Sequence, residues 1–250
     1  MMPAQSLSHP NPGHAAPTTT WSGRRDSNWS DLQEVMDLLR FDGQAPATDD
    51  RLFRRRRLGA EQSLFRMGQA FDGLYVVRMG ALKSIMTHDD GSEHVLSFAM
   101  RGDLLGTEGI CQHHFCSEAV ALTDCEVIRL PANSLFSPER HDDALEHLAY
   151  WAISREIAKE QASYTLTQAV RSDVRVAHFL AYESECFAAM GYSPRRFTLP
   201  MTRRDIGNYL SITLETVSRA LSNLHHLGII EVLNRDITIL SPEALRAYQG

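Results

Sequence analysis

Residues 202–219, Thr-Arg-Arg-Asp-Ile-Gly-Asn-Tyr-Leu-Ser-Ile-Thr-Leu-Glu-Thr-Val-Ser-Arg, constrain this chain more tightly than any other stretch, because their order fits two short helices joined by a tight turn. Thr202 is a good N-cap, and Ile206, Tyr209 and Leu210 follow at the three- and four-residue spacing of one buried helical face. A first helix is therefore predicted from Arg203 to Leu210. Ser211, Ile212 and Thr213 make the turn, with Thr213 as the next N-cap, and Val217, Leu221 and Leu224 form the apolar stripe of a second helix. Its opposite face carries Glu215, Thr216, Ser218 and Arg219. A face of that kind can enter the major groove, where Arg contacts guanine in bidentate fashion, Glu accepts from cytosine, and Ser or Thr contacts thymine or phosphate. An ordinary amphipathic helix pair with a solvated face would show the same periodicity.

Charge bears on that choice. The 250 residues carry a formal net charge of −6, which by itself argues against nucleic acid. Between residues 195 and 235, however, six arginines (195, 196, 203, 204, 219, 235) stand against three acids (Asp205, Glu215, Glu231), a local balance of +3. The reading head is basic within an acidic protein. With 43% hydrophobic residues the chain can bury one large or two small cores. It has no apolar run near the roughly 20 residues of a spanning helix, and its first residues lack the basic and apolar regions of a signal peptide. A cytoplasmic protein without a membrane segment is expected, and four cysteines (Cys111, Cys116, Cys125, Cys186) fit a reducing compartment better than a disulfide scaffold.

The texture of the chain changes along its length. Residues 1–30 are rich in Pro, Ser, Thr, His and Gly and are expected to be a disordered tail. Leu32, Val35, Met36, Leu38 and Leu39 then sit at helical spacing. From about residue 52 to 130, short β-type runs (74–79, 81–87, 94–99, 119–121, 127–130) are punctuated by Gly68, Gly73, Gly80, Gly91 and Gly102, the pattern of a small antiparallel barrel or jelly roll. Arg54-Arg-Arg-Arg57 reads as a solvated strand edge. Residues 142–170 form the longest predicted helix, in which Tyr150, Ile153, Ile157, Glu160 and Tyr164 recur every three or four positions. That row is either the seam of a coiled-coil dimer with one acid in it or the face of a single helix lying on its own barrel. A further helix over 172–190 precedes the helix-turn-helix, and residues 228–233 with 235–240 read as a small hairpin, making the C-terminal unit a winged helix. The expected fold class is α+β: a β-barrel sensor domain over 31–138, a dimerisation helix over 139–170, and a winged-helix DNA-binding domain over 171–250.

With those parts in that order, residues 50–245 resemble the CRP/FNR family of bacterial transcription regulators, and most of all its FNR branch. The matching segments are Leu74-Tyr-Val-Val-Arg-Met-Gly-Ala-Leu-Lys-Ser84, Gly102-Asp-Leu-Leu-Gly106, Met201-Thr-Arg-Arg-Asp-Ile-Gly-Asn-Tyr-Leu210 and Glu215-Thr-Val-Ser-Arg219. The resemblance implies an N-terminal cyclic-nucleotide-binding-like barrel, a homodimer joined along the long helix, a two-fold symmetric promoter site in double-stranded DNA, and contact with RNA polymerase. FNR-type proteins present Glu-x-x-Ser-Arg, which Glu215, Ser218 and Arg219 reproduce, whereas CRP-type proteins place an Arg immediately before the Glu, where this chain has Leu214. A TTGAT-type half-site is thereby implied, with Arg219 on guanine, Glu215 on amino groups of cytosine or adenine, and Ser218 against thymine. Thr202, Arg203, Ser211, Thr213 and Thr216 complete the expected DNA-contacting set.

The signal is not implied in the same way. A cyclic-nucleotide pocket in this family needs a Glu for the ribose and an Arg-Ser pair for the phosphate. Here Thr107 follows Gly106 in place of the Glu, and Phe115-Cys116 stand at the Arg-Ser position, which argues against cyclic AMP. FNR's [4Fe–4S] cluster draws three thiolates from a cysteine cluster ahead of the barrel, and this chain has no cysteine before Cys111. A replacement set, Cys111, His113, His114 and Cys116 with Cys125 further on, is chemically competent for iron–sulfur or another metal, and equally readable as a surface loop or a thiol switch. Haem has His88, His94, His113 and His114 to choose from, and no pattern selects one. Glu160 within an apolar seam would oppose association unless protonated or paired; alternatively it pairs with Lys159 or Arg155 at the surface. A small β-barrel metalloenzyme is the rival class, weakened because adjacent His113 and His114 would point to opposite faces of a strand. A ligand-independent DNA-binding protein is a second rival.

Overall fold

The computed structural model describes residues 28–46, 49–87, 91–135, 143–167 and 171–249, with the side chains of 165–167 left aside. The predicted tail over 1–27, the ends of the predicted long helix (142 and 168–170) and His88 lie outside the described residues.

The expected barrel is a sandwich of two antiparallel sheets. One has the strand order β1-β2-β9-β4-β7 and the other β3-β8-β5-β6. Here β1 is Trp29–Asp31, β2 Leu52–Leu58, β3 Ser63–Phe65, β4 Gly73–Met79, β5 Leu82–Thr87, β6 Glu93–Ala99, β7 Leu104–Leu105, β8 Glu118–Ala121 and β9 Cys125–Pro131. Side chains of Leu58, Leu64, Phe65, Tyr75, Val77, Leu82, Phe115 and Val127 fill the space between the sheets. Gly73 shows why glycine punctuates this pattern: at φ +149° a Cβ there would stand 2.2 Å from the Leu130 carbonyl oxygen.

Two expectations need correction here. Trp29 and Ser30, placed by the sequence within a tail over 1–30, are ordered, because Trp29–Asp31 pairs with β2 and Ser30 is buried. The Arg54–Arg57 run is not uniformly solvated either. Strand alternation turns Arg55 inward, where its Nε donates to Ser30 Oγ at 2.7 Å and its Nη2 meets Glu34 Oε2 at 2.6 Å. Glu34 also receives Arg78 Nε at 2.7 Å, so against the cost of burial the two guanidiniums hold its carboxyl below the usual range.

The helix α1, Leu32–Leu39, is N-capped by Asp31 and buries Leu32, Val35, Met36, Leu38 and Leu39, as its spacing predicts. Two short helices, α2 (Gly109–Gln112) and α3 (Ala132–Leu135), flank β8 and β9, and the long α4 runs over Asp143–Thr167. Leu145, Leu148, Ala149 and Ala152 on one side of α4 join α1 and the outer face of the five-stranded sheet in a second core. α5 follows as Ser172–Ala189, then β10 (Arg196–Thr198), α6 (Arg203–Leu210), α7 (Leu214–His226), β11 (Ile230–Leu233), β12 (Asp236–Ile239) and α8 (Pro242–Arg246). Strands β10, β12 and β11 pair antiparallel in that order, so the predicted hairpin is a three-stranded wing. Ile85, Val95 and Phe98 of the barrel share a core with Val176, Phe179 and Leu180 of α5 and Ile206, Tyr209 and Leu210 of α6. The C-terminal unit is thus packed directly on the second sheet.

Candidate nucleic-acid interface

The helix pair forms as its sequence dictates. Thr202 Oγ1 accepts from Asp205 N at 3.1 Å while Asp205 Oδ2 accepts from Thr202 N at 2.9 Å, a reciprocal capping box. Thr213 Oγ1 likewise accepts from Thr216 N at 3.2 Å and caps α7. Between the helices, Ser211 takes the left-handed conformation at φ 54° and its N–H returns to the end of α6. The turn is tight because Gly207 lets it approach: a Cβ at Gly207 would lie 2.7 Å from the Ile212 carbonyl oxygen. Val217, Leu221 and Leu224 are buried against α5 and the wing, which fixes the roll of α7.

That roll exposes Glu215 and Arg219 and leaves Thr216 and Ser218 half-buried on the same side. Arg203, Ser211 and Thr213 are exposed beside them, and Arg203 Nη1 donates to Ser218 Oγ at 3.3 Å, tying the two helices at the reading surface. Thr202 is half-buried with its hydroxyl committed to the cap. All six arginines of the basic segment, including Arg195, Arg196, Arg204 and Arg235, are exposed. Asp205 is the residue that sequence reasoning missed. It is buried and meets Lys83 Nζ of β5 at 2.8 Å, so the barrel grips the first turn of the helix-turn-helix. Against the cost of its own burial, Lys83 and Thr202 hold the Asp205 carboxyl below the usual range.

The row predicted on the long helix is divided by the structure between the barrel-side core and the exposed surface. Ile153 is half-buried against the barrel-side core, whereas Tyr150, Ile157 and Tyr164 are 68%, 51% and 66% exposed, and Glu160 lies exposed in the same row. The surface pairing suggested for Glu160 is not the arrangement observed. Lys159 Nζ turns to Asp103 Oδ2 at 2.6 Å, and Arg155 Nη1 donates to the Leu39 carbonyl at 2.5 Å. Burial and the nearby Glu108 carboxylate push the Glu160 carboxyl above its usual range.

In the barrel, the position expected to hold a phosphate-binding arginine is Phe115, fully buried and stacked on Phe65 with ring centroids 3.9 Å apart. Phe71 and Tyr75 pack around the pair. An aromatic stack offers an anionic phosphate no donor, so a cyclic nucleotide does not fit in the family's manner. The thiol and imidazole set does not converge either. Cys125 is buried with Sγ donating to the Ala81 carbonyl at 3.1 Å, Cys111 is exposed on α2, and His114 Nδ1 is 2.8 Å from the Gln112 carbonyl oxygen. Phe115 separates His113 and His114 from the half-buried Cys116. Among the described residues no three His, Cys, Asp or Glu side chains are gathered as a metal ion needs.

A jelly roll joined by a long helix to a basic winged helix-turn-helix defines a DNA-binding transcription regulator. The comparisons agree: residues 55–137 match the cyclic nucleotide-binding domain family and residues 174–248 the Crp-like helix-turn-helix domain. The Fumarate and nitrate reduction regulatory protein of Salmonella typhi is 35% identical over 202 residues, 81% of each chain. The Transcriptional regulatory protein btr of Bordetella pertussis is 34% identical over 204 residues, covering 81% of this chain and 84% of its own. Among solved structures, FixK2 from Bradyrhizobium japonicum superimposes with a TM-score of 0.70 at 28% identity over 79% of this chain and 98% of its own. The chain belongs to the CRP/FNR family of transcription regulators. These relatives are regulators and not enzymes, which removes the metalloenzyme alternative.

Proposed function

We propose that the protein acts as a homodimer that reads a palindromic promoter site with TTGAT-type half-sites, Arg219 pairing with guanine, Glu215 with amino groups and Ser218 with thymine. The observation that carries this reading is the common side of α7 on which Glu215, Ser218 and Arg219 lie, with Leu214 and not an arginine preceding Glu215. The exposed row Tyr150, Ile157 and Tyr164 supports dimerisation through α4, since its spacing is that of a coiled-coil seam and one face of the helix is already occupied by the barrel. Two heads so joined reach half-sites about 34 Å apart. Contact with RNA polymerase and residence in the cytoplasm follow from that role; among the described residues no helix is long and apolar enough to cross a membrane.

The same reading gives Glu160 a regulatory place. In a parallel dimer its two copies approach each other within the seam, where like charges oppose association. Ser84 Oγ lies 2.9 Å from Ser117 Oγ, which donates to Glu108 Oε1 at 2.8 Å, and Glu108 in turn raises the Glu160 pKa. A hydrogen-bonded chain thus runs from Ser84 in the barrel to Glu108, whose charge is felt at Glu160, a coupling by which a change in the barrel would reach the dimer. The test is a fluorescence-anisotropy titration of full-length protein on duplexes carrying the proposed palindrome, one half-site, or scrambled half-sites. Tight, cooperative binding to the palindrome alone is expected, and equal affinity for all three refutes the reading.

A further inference from the structure

The junction between the barrel, α4 and the DNA-binding unit holds more acid than its partners satisfy. A cavity of about 10 Å³ is lined there by Phe98, Glu156, Lys159, Tyr182, Glu183 and Tyr209, only at the threshold for one water. Glu156 and Glu183 are 7% and 2% exposed, and one carboxyl oxygen of each, Oε2, is buried with no hydrogen-bond partner. The Lys159 ammonium is already directed to Asp103 Oδ2 at 2.6 Å and the Phe98 carbonyl at 3.2 Å, leaving Glu156 Oε1 at 3.8 Å. Arg155, whose charge reaches Asp103 and Glu156, is turned to the carbonyls of Leu39 and Gly102. Glu160 and Ser163 of α4, Cys186 of α5 and the Tyr182 and Tyr209 hydroxyls complete the polar surroundings. Asp103, Glu156, Glu160 and Glu183 therefore face two cations, neither of which hydrogen-bonds to Glu183.

A buried carboxylate without a donor is far more costly than a neutral carboxylic acid in the same place. Glu183 projects from α5, the helix that carries Phe179 and Leu180 into the shared core with barrel residues Ile85, Val95 and Phe98. Lifting the DNA-binding unit from the barrel would expose Glu183 to water and relieve it. We infer that docking of the DNA-binding unit on the barrel and α4 takes up a proton at Glu183, so that the proton is a ligand of the docked arrangement. Consistently, burial first, and the Asp103 carboxylate with it, push Glu183 up to about 8 in spite of Lys159. Burial likewise raises Glu156. Because the docked form binds more protons than the lifted form between the ordinary carboxylate range and about pH 8, docking is favoured as pH falls and lost as pH rises through that window.

The experiment is hydrogen–deuterium exchange of the full-length protein between about pH 5 and 8, corrected for intrinsic exchange, comparing α6 amides with β4 and β9 amides as an internal reference. Protection of α6 relative to the barrel core is expected to fall about tenfold per pH unit, the slope of one linked proton. Glu183→Gln, which fixes the neutral form, should keep α6 protected at every pH. Infrared spectra of the wild-type protein supply a second measurement that does not depend on how that variant folds: a protonated carboxyl band must persist at pH 7. Flat relative protection in the wild type, absence of that band, or a Glu183→Gln variant as pH-sensitive as the wild type overturns the inference.

Discussion

Arg219 and Gly207 serve opposite ends within the same helix pair. Arg219 is exposed and makes no contribution to the core, so Arg219→Ala should leave folding intact and remove about 1–3 kcal/mol of discrimination at one base pair. Titration of single-base-pair variants of the site measures this, and a uniform loss across all variants would make Arg219 a phosphate contact instead. Gly207→Ala should act through the fold, because its Cβ would press on the Ile212 carbonyl oxygen. A destabilisation of about 1–3 kcal/mol is expected, read as a lowered Tm, and an unchanged Tm would show that the turn can give way. Both caps, Thr202 and Thr213, and the stripe Val217, Leu221, Leu224 were legible in the sequence because each depends on neighbours within a few positions. Asp205 was half legible. Its place in the first turn was visible, but its partner Lys83 is 122 residues away, beyond any local signal.

At the scale of elements, α4 carries the prediction of most consequence for assembly. Ile157→Asp should weaken the proposed dimer and Glu160→Ala should tighten it, and sedimentation velocity over a concentration series reads both. A Glu160→Ala protein with unchanged association would move the seam elsewhere. The long helices and the main strands were readable because each presents a full period of burial, and glycine marked where the strands stop. Strands β3, β7 and β10, of two or three residues, show no period at all and were not anticipated. The arginines of β2 misled for a different reason. A run of four cations looks solvated, yet alternation places Arg55 inside, where Glu34 on another element neutralises it.

Across the whole molecule, two carboxyls bound the docked arrangement from opposite sides of the pH scale. Asp205 is held below its usual range, so its ion pair with Lys83 stabilises docking above the ordinary aspartate value, about 3.9, and is lost as pH falls through its lowered one. Glu183 is raised and acts in the reverse sense on the alkaline side. Lys83→Met should therefore loosen α6 at neutral pH and remove the acid limb while leaving the alkaline limb in place, which the same exchange measurement distinguishes once it is extended below about pH 3.9. Neither group was visible as functional in the sequence, since what matters is a shortage of partners at a junction of distant segments. What the sequence did convey was a division of labour: an FNR-like reading helix attached to a barrel whose phosphate position is Phe115; that the thiols and imidazoles of the described residues do not converge became visible only in the structure. The most direct test of that account is selection of binding sites from random duplex DNA by the full-length protein, with no cyclic nucleotide added. Recovery of a palindrome with TTGAT-type half-sites about one helical turn apart, whose guanine preference disappears in Arg219→Ala, is the predicted result. Recovery of half-sites without that guanine, or no enrichment unless cyclic nucleotide is supplied, would contradict it.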